Sequence, residues 1–210
     1  MIQQRLTRAE KSAQTRAQLM ASARQLFLRR GFHAASLEMV AEEAGFTIGA
    51  VYSRFGSKAD LFLAILDEHI DRIVAEVAQV AAVDQPLGAH AELLAGRRMA
   101  LLEREREWFP LVLEFWSHAA RDERLRPQFA ARHERLVGAY AGLIEADYAR
   151  LGLPLPLAPE VLARAVVAMG NGVALERLAD PGRVPDGLLS TMALGFLRGV
   201  AADGPAEGRT

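Results

Sequence analysis

Residues 46–61, FTIGAVYSRFGSKADL, lie between two segments whose apolar residues recur with helical spacing. The stretch contains two glycines, a threonine, a tyrosine and a lysine, where a helical protein normally buries apolar surface. Small residues let a backbone approach a partner closely, and hydroxyl and ammonium groups can bind phosphate. The stretch therefore indicates a surface that contacts something other than the protein's own core.

Two short helices are predicted in and just before this stretch. Ser36 is a suitable N-cap for the first helix, which ends at Gly45. Thr47 caps the second, which runs to about Phe55. Two short helices joined by a tight turn form a helix-turn-helix, whose second helix enters the major groove of DNA. Spacing alone leaves a second interpretation open, in which both are ordinary connecting helices of a bundle.

The second short helix has small and polar residues on the side that would face DNA. Thr47 and the free N–H groups of the first turn can bind a phosphate, as can the Tyr52 hydroxyl. Gly49 and Ala50 keep the helix thin next to base edges. The next helix begins with the positive charge of Lys58. The predicted DNA-contacting residues are Ser36, Thr47, Ile48, Gly49, Ala50, Tyr52, Ser53 and Lys58.

Charge is unevenly distributed along the chain. The 210 residues carry a net charge of −1, but residues 1–58 hold nine basic and four acidic side chains, a net of +5. The remainder therefore carries −6. A basic end on an acidic body favours a polyanion as its partner. Arg5, Arg8 and Lys11 form a basic arm that either enters the minor groove or is flexible.

Residues 26–66 resemble the DNA-binding domain of TetR-type transcriptional regulators. The matching positions are Gly31-Phe32, Ser36, Val40-Ala41, Ala44-Gly45, Thr47, Gly49, Tyr52, Phe55, Ser57-Lys58 and Leu61. The chain departs from the family at Arg54, where an aromatic residue or His is usual, and at Ile48, where Lys or Arg is common. The resemblance implies a homodimer whose second domain binds a ligand and forms the dimer interface.

Apolar spacing predicts helices almost throughout, so the expected fold class is all-α with about nine helices. One long helix starts at Lys58 and carries an apolar stripe from Leu61 to Val80. Later helices are predicted over 90–106, 108–121, 123–151, 159–178 and 186–202. The expected domains are a DNA-binding domain at 1–58 with a flexible arm at 1–11, an effector-binding and dimerisation domain at 59–202, and a frayed tail at 203–210.

An aromatic-rich segment beginning at Trp108 is apolar on every side, which is typical of a central helix. Its embedded polar residues suit an apolar pocket with a few polar anchors, although a packed core explains the same pattern. Asn171 either anchors a ligand or fixes helix pairing. The predicted effector contacts are Trp108, Leu113, Glu114, Trp116, Ser117, His118 and Asn171.

The last two helices are rich in Ala, Gly, Val, Leu and Met. Helical glycines cost stability unless backbones approach closely, as they do where two helices from each of two chains form a four-helix interface. Packing within one chain is the alternative. The predicted dimer contacts are Val166, Met169, Val173, Leu189, Met192 and Phe196.

Several classes of function find no support in the sequence. There is no Cys, no metal-ligand spacing of His and Glu, no serine nucleophile motif and no phosphate-binding loop, so neither an enzyme nor a cofactor is predicted. No apolar run is long enough for a membrane span, and no secretory signal is present, which favours the cytoplasm. The main hypothesis is a homodimeric repressor that binds a near-palindromic double-stranded DNA operator and is released by a small, largely apolar effector. The alternative is an apolar-ligand-binding helical protein with a vestigial helix-turn-helix.

Overall fold

A computed structural model describes residues 7–202, which form nine α-helices, a short 3-10 turn at Pro181–Arg183 and no strand. The predicted all-α class is confirmed. The residues of the predicted tail, 203–210, and Arg5 of the predicted arm lie outside the described part. The helices are α1 Arg8–Ala34, α2 Leu37–Ala44, α3 Ile48–Tyr52, α4 Lys58–Ala81, α5 Leu87–Arg104, α6 Trp108–Ala119, α7 Leu125–Leu151, α8 Pro159–Ala179 and α9 Leu188–Ala202.

The start of α1 differs from the expected flexible arm at 1–11, because residues 8–11 are helical. Thr7 and Glu10 form a capping box: the Thr7 hydroxyl accepts from the Glu10 N–H, and the Glu10 carboxylate accepts from the Thr7 N–H at 2.7 Å. This pairing satisfies backbone donors that a helix start leaves free. Arg8 and Lys11 therefore belong to the first turns of a helix.

Two other helix starts differ from the sequence-based bounds for local backbone reasons. Helix α5 begins at Leu87, directly after Pro86, instead of at His90. Proline fixes its own φ near the helical value, so a helix can begin beside it. Helix α9 begins at Leu188 because Gly187 has a φ of +79°, which a right-handed helix cannot include.

The described chain forms two compact units. Unit 1 comprises residues 7–69 and 110–129, and unit 2 comprises residues 70–109 and 130–202. Unit 1 extends past the predicted domain boundary at residue 58 because the first half of α4 supplies its core. Phe62 of α4 stacks on Phe115 of α6, with ring centroids 4.3 Å apart, and packs edge-on against Phe27 of α1.

The stripe predicted on α4 is buried as expected, first in unit 1 and then in unit 2. In unit 2, Val77 and Val80 of α4 pack with Leu94 of α5 and Leu143 of α7. A second cluster joins α7 to α8 and α9, where the Tyr148 hydroxyl donates to the Leu197 carbonyl at 2.8 Å. None of the described helices is long and apolar enough to cross a membrane.

Unit 2 also buries a hydrogen-bonded pair, His90 and Asp147. The His90 Nδ1 lies 2.9 Å and 3.0 Å from the two Asp147 carboxylate oxygens, and Nε2 lies 2.9 Å from the Val83 carbonyl. Each ring nitrogen thus lies within hydrogen-bonding distance of an oxygen. Arg150 Nη1 donates to the same carboxylate at 2.8 Å. His90 and Asp147 are each about 1% exposed, so breaking this pair leaves a charge with no access to water.

We predict that His90→Ala lowers the free energy of unfolding by about 3 kcal/mol, because Asp147 then lacks its principal buried partner. Glu92→Ala, an exposed change on the same helix, is the matched control and should change stability by less than about 0.5 kcal/mol. Urea unfolding followed by circular dichroism measures both. A loss below about 1 kcal/mol for His90→Ala would contradict the stabilising role of the pair.

Candidate functional site

The helix-turn-helix in unit 1 is built by the caps that the sequence predicts. The Ser36 hydroxyl accepts from the Met39 N–H at the start of α2, and Gly45 ends α2 with a φ of +70°. The Thr47 hydroxyl then accepts from the Ala50 N–H at 3.2 Å and starts α3. Each cap satisfies backbone groups that a helix end leaves free. Two helices are therefore joined by a turn of three residues.

Helix α3 is anchored on one side and open on the other. Val51 is fully buried, and Phe55, just after the helix, is nearly so. On the outer side, Ile48 is 37% exposed and Tyr52 is 53% exposed. Of the other predicted DNA contacts, Thr47, Gly49 and Ser53 are exposed, whereas Ser36, Ala50 and Lys58 are partly buried. The open side thus presents a threonine, a tyrosine, an isoleucine and a patch of bare backbone.

Arg54 has a local role that the sequence analysis did not identify. Its Nη1 donates to the Ala50 carbonyl at 3.0 Å and to the Ser53 hydroxyl at 3.1 Å. A positive charge at the end of a helix is favoured by the helix dipole and by the free carbonyls there. The guanidinium stabilises a helix of only five residues at the position where an aromatic residue or His was expected.

The Lys58 ammonium joins the start of α4 to the end of α1. It donates to the carbonyl oxygens of Phe32 at 2.7 Å, His33 at 3.1 Å and Ala35 at 2.8 Å. Burial lowers the pKa of Lys58, and the nearby Glu114 carboxylate offsets part of that shift. An ammonium has three N–H donors, and each has a carbonyl partner. The phosphate contact predicted for Lys58 stays a prediction, and its observed contacts are structural.

The Glu114 carboxylate of α6 binds the N–H groups of the same turn. Gly31 has a φ of +77° and interrupts the helical backbone of α1, so the following N–H groups need other acceptors. The Glu114 carboxylate accepts from the Phe32 N–H at 3.0 Å and the His33 N–H at 2.9 Å. A Cβ on residue 31 would lie 2.8 Å from the Glu114 Oε2. Glycine is therefore required here by both backbone angle and space; we call residues 31–35 with Lys58 and Glu114 the turn clamp.

A cavity of about 80 Å³ lies in unit 2, among α4, α5, α7, α8 and α9. Its wall is mostly aliphatic, and its polar side chains are those of His90, Arg98, Tyr140, Asp147 and Asn171. Of the seven predicted effector contacts, only Asn171 lines this cavity. Sequence reasoning missed the other four polar residues because they lie on α5 and α7, outside the aromatic-rich segment.

The six predicted effector contacts on α6 do not line this cavity, and several have other partners. Leu113, Glu114, Trp116, Ser117 and His118 belong to unit 1. Glu114 completes the turn clamp, His118 packs against Phe32 with ring centroids 5.2 Å apart, and Trp116 packs against Phe129. Trp108 is buried in unit 2 without lining the cavity. Phe109, Leu111 and Phe115 of this helix are buried, whereas Trp116 and Ser117 are exposed, and the predicted effector contacts on α6 stay a prediction.

The predicted dimer contacts stay a prediction, and they differ in how far each is buried within the chain. Val173 and Leu189 are buried in a cluster with Ala95, so they pack within the chain. Met169 packs against that cluster, Phe196 packs against the α7–α8–α9 core, and Val166 lines the cavity. Met192, at 39% exposed, is the one member of the set with a largely open side chain. On α8 the exposed positions include Ala168, Gly172 and Leu175, which are not in the predicted set, whereas on α9 they include the predicted Met192.

The turn clamp generates a stability prediction. Lys58→Met keeps the length of the side chain but removes the charged donor, and should lower the free energy of unfolding by about 2 kcal/mol. Lys11→Met, at an exposed position of α1, is the matched control and should have little effect. Equal urea midpoints for the two variants would contradict a structural role for Lys58.

Two family profiles match the chain. The profile of bacterial regulatory proteins of the tetR family matches residues 19–65, and that of the BetI-type transcriptional repressor C-terminal domain matches residues 89–202. The HTH-type transcriptional activator FasR of Mycolicibacterium smegmatis is 41% identical over 64 residues, 30% of this chain and 29% of FasR. The HTH-type transcriptional repressor BepR of Brucella suis is 26% identical over 178 residues, 83% of this chain and 85% of BepR. The chain thus matches less than a third of FasR but most of BepR.

Solved structures share the fold at low sequence identity. Salmonella enterica GusR has a TM-score of 0.75 at 21% identity, over 92% of this chain and 98% of GusR. FadR of Bacillus subtilis, in complex with stearoyl-CoA, has a TM-score of 0.70 at 14% identity, over 89% and 97%. A transcriptional regulator from Saccharomonospora viridis in complex with choline has a TM-score of 0.69 at 18% identity, over 89% and 96%. With one profile on the helix-turn-helix and the other on more than half of the chain, the protein belongs to the TetR family of bacterial transcriptional regulators.

Proposed function

We propose that the chain is a homodimeric repressor that binds a near-palindromic DNA operator and is released by a small, largely apolar effector. The open side of α3 is the observation that carries this proposal. Its backbone is accessible at Gly49, its N-terminal hydroxyl belongs to Thr47, and Tyr52 lies fully on the outer side. Such a surface can enter a major groove with hydroxyl groups directed to phosphates and an apolar Ile48 available for a thymine methyl.

Repression is the sign of regulation that we propose, on the basis of how the chain's relatives are named. BepR, which matches most of the chain, is named a repressor, whereas FasR, which matches a shorter part, is named an activator. A regulator that binds DNA in its ligand-free form and leaves it on binding a ligand needs an effector that prefers the non-binding conformation. Helix α4 carries both Lys58, in the turn clamp, and Ile73, in the cavity wall. The effect of a ligand at the cavity would reach the turn clamp through this continuous helix.

The exposed sides of α8 and α9 support a dimer interface. Ala168, Gly172 and Leu175 follow one another at helical spacing on α8, and Met192 and Gly195 do so on α9, all of them exposed. A Cβ at Gly172 or Gly195 would meet no atom of the same chain within 4 Å. Packing within the chain therefore does not require these glycines, although each costs helix stability. Close approach by α8 and α9 of a second copy would explain why glycine occupies these two positions.

The unit 2 cavity is the site that we propose for the effector. FadR and the S. viridis regulator share the fold and were solved with stearoyl-CoA and with choline, one with a negatively charged ligand and one with a cation. The fold therefore does not determine the charge of the ligand. The charge of the effector therefore has to be inferred from the side chains that line this chain's own cavity.

We predict that Tyr52→Ala weakens binding to the operator about tenfold, by removing one phosphate contact and the ring beside it. The binding assay is fluorescence anisotropy with a duplex from directly upstream of the protein's own coding sequence. Because Tyr52 is exposed, the thermal midpoint should not change. Tyr52→Phe separates the hydroxyl from the ring, and Leu151→Ala, an equally exposed change in unit 2, is the control.

The prediction for Tyr52 depends on specific binding by the unaltered protein. Unchanged affinity in Tyr52→Ala would contradict the assignment of α3 as the recognition helix. Equal, salt-sensitive binding of the upstream and an unrelated duplex by the unaltered protein would favour the vestigial helix-turn-helix for that fragment.

We predict that Gly172→Glu converts the dimer to a monomer, because a charged side chain would be buried where two helices approach closely. Gly138→Glu on α7 is the matched control. Gly138 is also helical and exposed, and a Cβ there would meet no atom within 4 Å. Charged residues, Arg135 and Glu145, lie three positions before it and seven after it. Light scattering after gel filtration gives the mass of each variant. A dimeric Gly172→Glu variant, or a monomeric unaltered protein, would contradict this interface.

A further inference from the structure

The polar groups of the unit 2 cavity fall into two sets, and the first set is internally satisfied. His90 binds Asp147 and the Val83 carbonyl, and Arg150 binds the same Asp147 carboxylate. The negative charge of Asp147 thus has two positively charged or donating partners within hydrogen-bonding distance. This set provides structural support and leaves few groups free for a ligand.

The second set consists of Arg98, Tyr140 and Asn171, and it has unused hydrogen-bond donors. Arg98 is half-buried, and its one hydrogen bond to a described residue is a long one, from Nη2 to the Asn171 Oδ1 at 3.4 Å. The guanidinium also lies 5.8 Å from the ring centroid of Phe109. Within residues 7–202, Arg98 forms no ion pair, although Glu76 lines a neighbouring pocket with it. By contrast, Arg177 in the same unit binds both Glu103 and Asp186.

The electrostatics of this set favour an incoming anion. Burial lowers the pKa of Arg98, yet a guanidinium keeps its proton at any physiological pH. Burial raises the pKa of Tyr140, so its hydroxyl is neutral and can donate. Among the described residues, that hydroxyl has no hydrogen-bond acceptor. A half-buried guanidinium loses part of its hydration, and a ligand carboxylate can replace that hydration with charge-assisted hydrogen bonds.

Most of the cavity wall is hydrocarbon. Leu94, Leu143, Ile144, Val167 and Leu197 line it, and its two rings are those of Tyr140 and His90. A quaternary ammonium is normally held by several aromatic faces, and the positive charge of Arg98 repels it. The cavity of about 80 Å³ is several times the ~10–15 Å³ that one water requires, which suits a short aliphatic chain.

We infer that the unit 2 cavity binds an aliphatic monocarboxylate, with its carboxylate on Arg98, Tyr140 and Asn171 and its hydrocarbon chain against the aliphatic wall. This inference deepens the proposed function, because the cavity is the proposed effector site. The fork of guanidinium N–H groups matches a carboxylate in a two-point contact. The ligand class is thus an acid with an apolar body, which refines the largely apolar effector expected from the sequence.

Isothermal titration calorimetry with the full-length protein tests this inference through binding alone. The probes are butyrate, hexanoate and octanoate, with the amide of each acid as its neutral equivalent and choline as a cation. We expect at least one acid to bind, and its neutral equivalent to bind at least ~10 times more weakly. Failure of all three acids to bind, equal binding of a neutral equivalent, or tighter binding of choline would overturn the inference.

Two variants identify the residue responsible. Arg98→Gln should weaken binding of the acid about 10- to 100-fold, whereas Arg97→Gln, at the adjacent half-buried position outside this cavity, should leave it unchanged. Equal effects of the two would overturn the assignment. Should Arg98→Gln fail to fold by circular dichroism, Tyr140→Phe and the neutral equivalents on the unaltered protein decide the question.

Operator binding is measured separately, so that failure of the inference and failure of the proposed function can be told apart. Specific DNA binding by a protein that binds no acid overturns the inference and leaves the regulator intact. Binding of the acid without release of DNA upholds the inference and contradicts the proposed coupling between the cavity and DNA.

Discussion

The contacts of the Lys58 ammonium with three carbonyl oxygens at the end of α1 are the interaction on which the helix-turn-helix depends, and with it the surface that we propose for DNA. Gly31 interrupts the helical backbone of α1. The N–H groups that follow it donate to the Glu114 carboxylate, and the carbonyl groups there accept from Lys58. The ends of α1 and α4 are thereby fixed in unit 1. Helices α2 and α3 lie between these two positions in the sequence, so the clamp sets both ends of the segment that carries the helix-turn-helix.

Two positively charged side chains of this protein differ in how many of their hydrogen-bond donors have a partner within the chain. We interpret the fully bonded one as structural and the other as a ligand-binding group. Lys58 has a carbonyl for each of its three donors, whereas Arg98 has one long hydrogen bond to a described residue and borders a hydrocarbon-walled cavity. Desolvation opposes both charges. In the first case the chain compensates within itself. In the second case compensation by a ligand is what we infer, and a carboxylate provides it.

Local features could be predicted from the sequence, and features that depend on distant packing could not. The caps at Ser36 and Thr47 and the left-handed Gly45 follow from residue types within a few positions, and the apolar stripe of α4 follows from its period. The partners of Glu114 lie more than 80 positions away in the chain, and no local pattern indicates them. Composition does not distinguish a pocket wall from a packed core, so the sequence of the aromatic-rich helix leaves both interpretations open. The stacking of Phe115 on Phe62 depends on α4, about 50 positions away, which no local pattern indicates.

The most direct test of the account is selection of bound duplexes from a random pool by the unaltered protein, followed by affinity measurement at two salt concentrations. The account predicts enrichment of an inverted repeat, matching two recognition helices related by a twofold axis. The selected duplex should bind about 10³ times more tightly than a scrambled one and keep that preference at moderate salt. No enriched sequence, with equal and salt-sensitive binding of all duplexes, would contradict the account, because a basic surface alone binds DNA in that way.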